Sequence, residues 1–296
     1  MRTQSLLVAA LAASVNAHGM LKSIQGANGV EMPGLTVADG TPRDCTSNGC
    51  GSQADTAIIR DREMAEVGPL GRTQGNGPVK AETMIANFMG GAAAPTNNGK
   101  GTGQEDNIPA SAGGQAAAKA KNTARQLLGG LLGGIGGGGG AGKKVTGPAE
   151  TMVAASAGAG ASQGLPTCSD SGAITMTFYQ INQDGAGPLE AAVDGTSGGT
   201  DAAAFQDADV TTNVPGLGVQ GLSLATATEF PVEVQMPQGM TCDATVAGAQ
   251  NVCVVRVRNA ATATGPFGGS AAFTQTAAGR KRALAYRLKK RMEFRA

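Results

Sequence analysis

The chain predicts a mainly β fold: an antiparallel, β-sandwich-like core with short helices, a long Gly/Ala-rich disordered insertion and a basic C-terminal tail. Three observations carry this. Several stretches after residue 167 alternate apolar and polar residues with period two. Glycine supplies 47 of the 296 residues and aromatics only 3%. That glycine share is about twice the usual ~7%, so much of the chain lacks the apolar area that offsets ordering entropy. The last 17 residues hold eight basic side chains and one acid.

Residues 1–17 read as a secretory signal peptide. Arg2 supplies the positive charge, Ser5 to Ala13 the apolar run, and Val15-Asn16-Ala17 a small-residue cleavage site. Cleavage there would make His18 the first residue of the mature chain. The apolar run falls short of the about 20 residues that span a bilayer, and no later stretch reaches 18, so no transmembrane anchor is expected. The charged C-terminus argues against a glycan-linked lipid anchor. No Asn-x-Ser/Thr acceptor occurs.

The N-terminal part of the core, 18–99, holds two helix-like stretches. In 55–65, Asp55 is the expected N-cap, and Ile58, Ile59 and Arg62 share a face at helical spacing. The other runs over 81–89. Residues 100–166 are low in complexity. They include a possible lone helix over 116–132 and five glycines at 136–140, and disorder is expected for most of the segment. The β-rich part, 167–279, contains the clearest strands. Ile174, Met176 and Phe178 form one alternating set, and Phe230, Val232, Val234 and Met236 a second. Residues 251–259, rich in β-branched side chains, form a third strand. Gln183-Asp184-Gly185 signals a hairpin or tight turn. The basic tail is 280–296.

The formal net charge of +1 hides a division. The tail carries +7, whereas residues 18–279, with 14 basic and 21 acidic residues, carry −7. In the tail, Leu284, Leu288 and Met292 recur every four residues, a narrow apolar stripe on a basic helix suited to an anionic surface or partner. Lys281-Arg282 and Lys290-Arg291 suit a dibasic processing protease. An acidic body on an exported chain argues against nucleic-acid binding.

Five cysteines are present, and an exported protein pairs them by default. Cys45–Cys50 would close a small polar loop and Cys242–Cys253 would tie one strand to the next, although spacing alone does not fix connectivity. Cys168 is left over, either free or bridged to another chain. No second pair or His lies near Cys45 and Cys50 in sequence, which argues against zinc.

The single His removes many mechanisms. Any Ser-His-Asp or Cys-His triad would have to use His18, and a His-rich zinc site is impossible. His18-Gly19-Met20 resembles the His-Gly start of lytic polysaccharide monooxygenases, whose terminal amine and ring nitrogens chelate copper. Those enzymes add a second His, which this chain lacks. His18 is therefore at most a weak copper candidate, to be completed by Tyr179, Tyr286 or a carboxylate. Residues 137–144 nearly match a phosphate-binding loop, but Lys144 stands where the hydroxyl should be and no hydrophobic strand precedes it. Asp55, Asp61, Glu63 and Asp184 are carboxylates of the kind a glycosidase pairs. Arg60 and Arg62 interleave with the first three, which suggests a solvated, paired surface instead. No catalytic residue, cofactor or metal is assigned.

Several segments together resemble the fungal appressorium-specific virulence-factor family. They are His18-Gly19-Met20, Asp44 to Gly51, Thr56 to Glu63, Gln180 to Pro188, Cys253 to Asn259 and Gly265 to Gly269. The resemblance implies a non-enzymatic role in appressorial penetration and lesion development, in a protein that is secreted, held at the fungal surface, or retained in the appressorium. Family members tend to carry a Cys after the Asp-Gly-Ala-Gly-Pro turn and another after Gly-Pro-Phe-Gly-Gly. Here those neighbourhoods hold Leu189 to Ala192 and Ser270, which implies a missing disulfide and an unpaired Cys168. Relatives also tend to show a His where this chain has Tyr179. The alternatives are a module binding a host or fungal cell-wall polysaccharide, and a degenerate copper-dependent polysaccharide oxidase.

Overall fold

A computed structural model describes residues 18–46, 50–97, 142–145, 147–183, 185–216, 223, 225–261 and 265–293. The signal sequence, the expected helix over 116–132 and Asp184 lie outside the described residues.

The architecture is antiparallel β with a few short helices. Period-two patterning builds its central strands. In β7 (Ala173–Gln180), Ile174, Met176 and Phe178 are buried while Thr175 is exposed. In β10 (Thr228–Gln235), Phe230, Val232 and Val234 are buried. The longest strand, β12 (Ala249–Asn259), contains the third predicted segment and pairs with the short β11 (Ala244–Val246) before it. Each pairs antiparallel with its neighbours.

The first layer runs β2 (Glu31–Pro33), β1 (Gly19–Gln25), β7, β10 and β9 (Phe205–Thr212). From β9 the path continues through β8 (Leu189–Asp194), β12 and β13 (Phe267–Thr274). It ends in the two-residue strands β3 (Ala57–Ile58), β4 (Arg72–Thr73) and β5 (Gly77–Pro78). Strand β9 pairs with both β10 and β8 and so joins the layers. The path folds back until β13 lies against β1: a Cβ on Gly269 would sit 2.7 Å from the Leu21 nitrogen. Gly269, with no side chain, lets the two backbones approach there. Met176, Phe178, Val232, Val254 and Phe273 belong to the apolar core that results.

Two expectations are corrected and one is narrowed. The hairpin-or-tight-turn signal is a tight turn, in which the Gly185 N–H donates to the Asn182 carbonyl at 3.1 Å, and not a hairpin, because β7 pairs with β1 and β10 while β8 pairs with β9 and β12. It carries the chain between layers. The helix expected over 55–65 is replaced by β3, a 3-10 turn at Asp61–Glu63 and a short helix α1 (Met64–Val67). Ile58 pairs with Phe267 and both Ile58 and Ile59 are buried, so sheet pairing overrides the helical pattern. The solvated surface expected of Asp55, Asp61 and Glu63 holds for the last two, which are ion-paired at the surface, but Asp55 is fully buried.

The end of the low-complexity segment, from residue 142 onward, is folded where it is described. Strand β6 (Lys143–Lys144) pairs with β10. Helices α3 (Met152–Ala155) and α4 (Ala159–Gln163) follow, and α4 packs against α2 (Ala81–Phe88), the helix expected over 81–89. The last helix, α5 (Ala277–Glu293), carries the basic tail. No helix among the described residues is long and apolar enough to cross a membrane.

Candidate functional site

The turn after β7 packs against the start of β1, and this brings His18 together with Ile181, Asn182 and Gly185. The His18 carbonyl accepts from the Ile181 N–H at 3.0 Å, extending the β1–β7 ladder. A Cβ on Gly185 would lie 1.9 Å from that carbonyl oxygen, so only glycine fits there. The His18 ring lies 4.9 Å from the Phe267 ring and is buried.

Asn182 defines what His18 can do. Its Oδ1 accepts from the His18 main-chain nitrogen at 2.7 Å, and its Nδ2 lies 3.3 Å from His18 Nδ1. A terminal-histidine copper chelate would use these same two nitrogens. The carboxamide spans them, placing one oxygen and one nitrogen where a single cation would have to sit. The Tyr179 hydroxyl is engaged elsewhere, donating to the Arg43 carbonyl. Burial pushes it up to about 12, with Arg43 pulling the other way, so it is a poor phenolate ligand. Tyr286 lies on α5, in a cleft with Gly239 and Met240. Among the described residues, no three His, Cys, Asp or Glu side chains gather as a metal-holding cluster. The residues present do not fit a copper centre.

A buried ionic cluster lies behind Tyr179. Arg43 Nη2 meets Asp55 Oδ2 at 2.5 Å and Arg43 Nε meets Glu150 Oε2 at 3.0 Å. Asp55 also accepts from Thr41 Oγ1 at 2.8 Å and from the Ala38 N–H at 3.1 Å. Glu150 Oε1 takes the N–H groups of Thr151 and Met152, while the Asp39 carboxylate takes those of Val153 and Ala154. Together Asp39 and Glu150 satisfy the free N–H groups at the start of α3. Burial opposes ionisation of Glu150, but Arg43 and the Met152 N–H hold its carboxyl below the usual range. Burial raises Asp55 against the pull of Arg43 and Thr41. The guanidinium lies 5.7 Å from the Tyr179 ring centre. These contacts fasten three distant segments, 38–55, 147–155 and β7, to one another.

The cysteines are placed plainly. Cys45–Cys50 and Cys242–Cys253 are bonded. Cys168 is a buried free thiol, pushed up to about 11 mainly by burial, which leaves it unreactive. Leu189 and Ser270, in the neighbourhoods where relatives tend to carry Cys, are both buried. Of the carboxylates weighed for hydrolysis, Asp61 pairs with Arg258 and Glu63 with Arg60 and Arg72. Sequence reasoning did not single out Arg43, Glu150 or Asn182. Asn182 does fall within a quoted motif, and Glu150 stands just before the first apolar pair after the glycine tract.

The paired antiparallel layers, with His18 at the head of β1, define a mainly β protein with two disulfides. The profile of the Egh16-like virulence factors matches residues 16–268, and the chain belongs to that family. It is 53% identical over 292 residues, 98% of this chain and 94% of the other, to the appressoria-specific virulence factor GAS2 of Pyricularia oryzae. It is 42% identical over 130 residues to the appressoria-specific virulence factor GAS1 of the same fungus, covering 43% of this chain and half of that one. No solved structure matches. Membership carries a virulence role.

Proposed function

We propose that this chain is an exported, infection-stage protein that serves appressorial penetration and lesion development by binding rather than by catalysis. The observation that carries the non-catalytic half is the Asn182 carboxamide across the two His18 nitrogens. Near-full-length identity to GAS2 supports the infection-stage half.

Two measurements test it. Deleting the gene in the producing fungus is expected to reduce penetration and lesions, with recovery on complementation. Unchanged infection would overturn the role. Titrating the processed protein with Cu(II) while following His18 by magnetic resonance is expected to show an affinity no better than that of a short His-leading peptide. Tight stoichiometric binding, with turnover of a polysaccharide, would overturn the non-catalytic reading.

A further inference from the structure

All four exposed large hydrophobic side chains among the described residues lie on α5: Leu284, Tyr286, Leu288 and Met292. An apolar patch left in water on one element marks an interaction site. The geometry of the helix says which kind.

Helix α5 is fastened to the body along one face. Gly279 and Ala283 are its buried residues. Thr276 Oγ1 accepts from the Gly279 N–H at 3.0 Å and donates to Asp170 Oδ1 at 2.6 Å. Arg280 donates to the Cys242 carbonyl and to Asp243, both at 2.7 Å. Tyr286 packs near Gly239 on the same side. At 3.6 residues per turn, Leu284, Leu288 and Met292 project from the opposite side. They are 44%, 60% and 66% exposed. Arg287 and Arg291 lie between the stripe and the cleft beside Gly239 and Met240, Lys289 lies on the other edge 3.9 Å from Glu293, and Lys281 stands at the head of the stripe. The helix carries seven cations and one acid, Glu293. A soluble helix normally turns its apolar stripe inward. This one docks through small residues and turns the stripe outward.

We propose that the outer face of α5 lies on an anionic lipid surface, the stripe entering the acyl boundary and the flanking cations meeting the headgroups. Charge complementarity selects this occupant. A second copy offers an acidic body, but its described residues expose no large apolar side chain outside α5 itself to receive the stripe. Packing stripe on stripe would set two strongly cationic helices side by side, which like-charge repulsion opposes. This inference is argued from the helix and deepens the proposed infection role, and vesicle capture tests it apart from the deletion phenotype that tests the role.

The test uses the full mature chain, its tail verified by intact mass, and co-sedimentation with vesicles. Phosphatidylcholine vesicles containing about 30% phosphatidylserine are expected to capture the protein at least ~tenfold better than pure phosphatidylcholine, with the advantage lost at high salt. L284S/L288S/M292S is expected to lower that capture by at least ~tenfold. K281E/K289E, which leaves the stripe and the docked face intact, is expected to weaken it too and guards against local unfolding in the first variant. Equal capture by neutral and anionic vesicles would overturn the proposal. So would undiminished binding of both variants, or a helix-dependent self-association with no vesicle capture.

Discussion

Two regions of this molecule handle charge in opposite ways. The Arg43–Asp55–Glu150 cluster keeps its charges out of water and pairs them at 2.5 and 3.0 Å. Helix α5 leaves most of its seven cations in water beside an exposed apolar stripe. A desolvated charge that keeps its partners ties segments together and is costly to unpair. A solvated charge contributes little to folding and is available to something outside. The comparison teaches that the acidic body and basic tail, visible as a formal split in the sequence, correspond to a division of labour between holding the fold and meeting a surface.

The largest effect should come from breaking the cluster. Arg43→Met strands two carboxylates in the core and is expected to cost about 3–5 kcal/mol in denaturant unfolding. Next come the disulfides. Cys242 and Cys253 are 11 residues apart, and replacing both with Ala is expected to cost about 3 kcal/mol. Cys45 and Cys50, 5 apart, should cost about 2 kcal/mol by the same chain-entropy reasoning.

A third prediction concerns pH. Glu150, Asp61, Glu63, Asp194 and Asp243 are all held below their ordinary values. For Asp194, burial is outweighed by hydrogen bonds from Ser197, Thr196 and Gly199. A depressed carboxyl contributes stability that is present above the unfolded values of 3.8 and 4.5 and is lost as pH falls through the folded ones. Asp55, raised by burial, acts in the opposite sense, losing stability as pH rises above 3.8, but it is one group against five. The midpoint of thermal unfolding should therefore hold at neutral pH and fall steeply below about pH 4.

The smallest effect on folding should come from the helix. Leu288→Ser, at a residue 60% exposed, is expected to change stability by no more than about 0.5 kcal/mol, checked by thermal unfolding. A larger loss would mean that the stripe is packed, and would erase the contrast between the two regions.

The legible parts of the fold were those written in local pattern. β7 and β10 follow directly from alternating side chains, β12 from its run of β-branched residues, α2 from the helix-like stretch 81–89, and the tail stripe from residues four apart. The rest depended on distant partners. Ile58 and Ile59 suit either a helix or a strand until Phe267 is beside them. Residues 142–166 look like more of the glycine tract, yet Glu150 has a buried arginine 107 positions away. Asn182 is 164 residues from His18 in sequence, and its amide becomes informative only once β1 and β7 are paired. A reading of His18 by itself finds half a copper site; the paired strands show what occupies it.

The most direct test of the whole account is the lesion count in a deletion strain complemented with L284S/L288S/M292S. The account predicts wild-type abundance of a folded protein together with lesions close to the deletion level. Full restoration of lesions at equal abundance would contradict it.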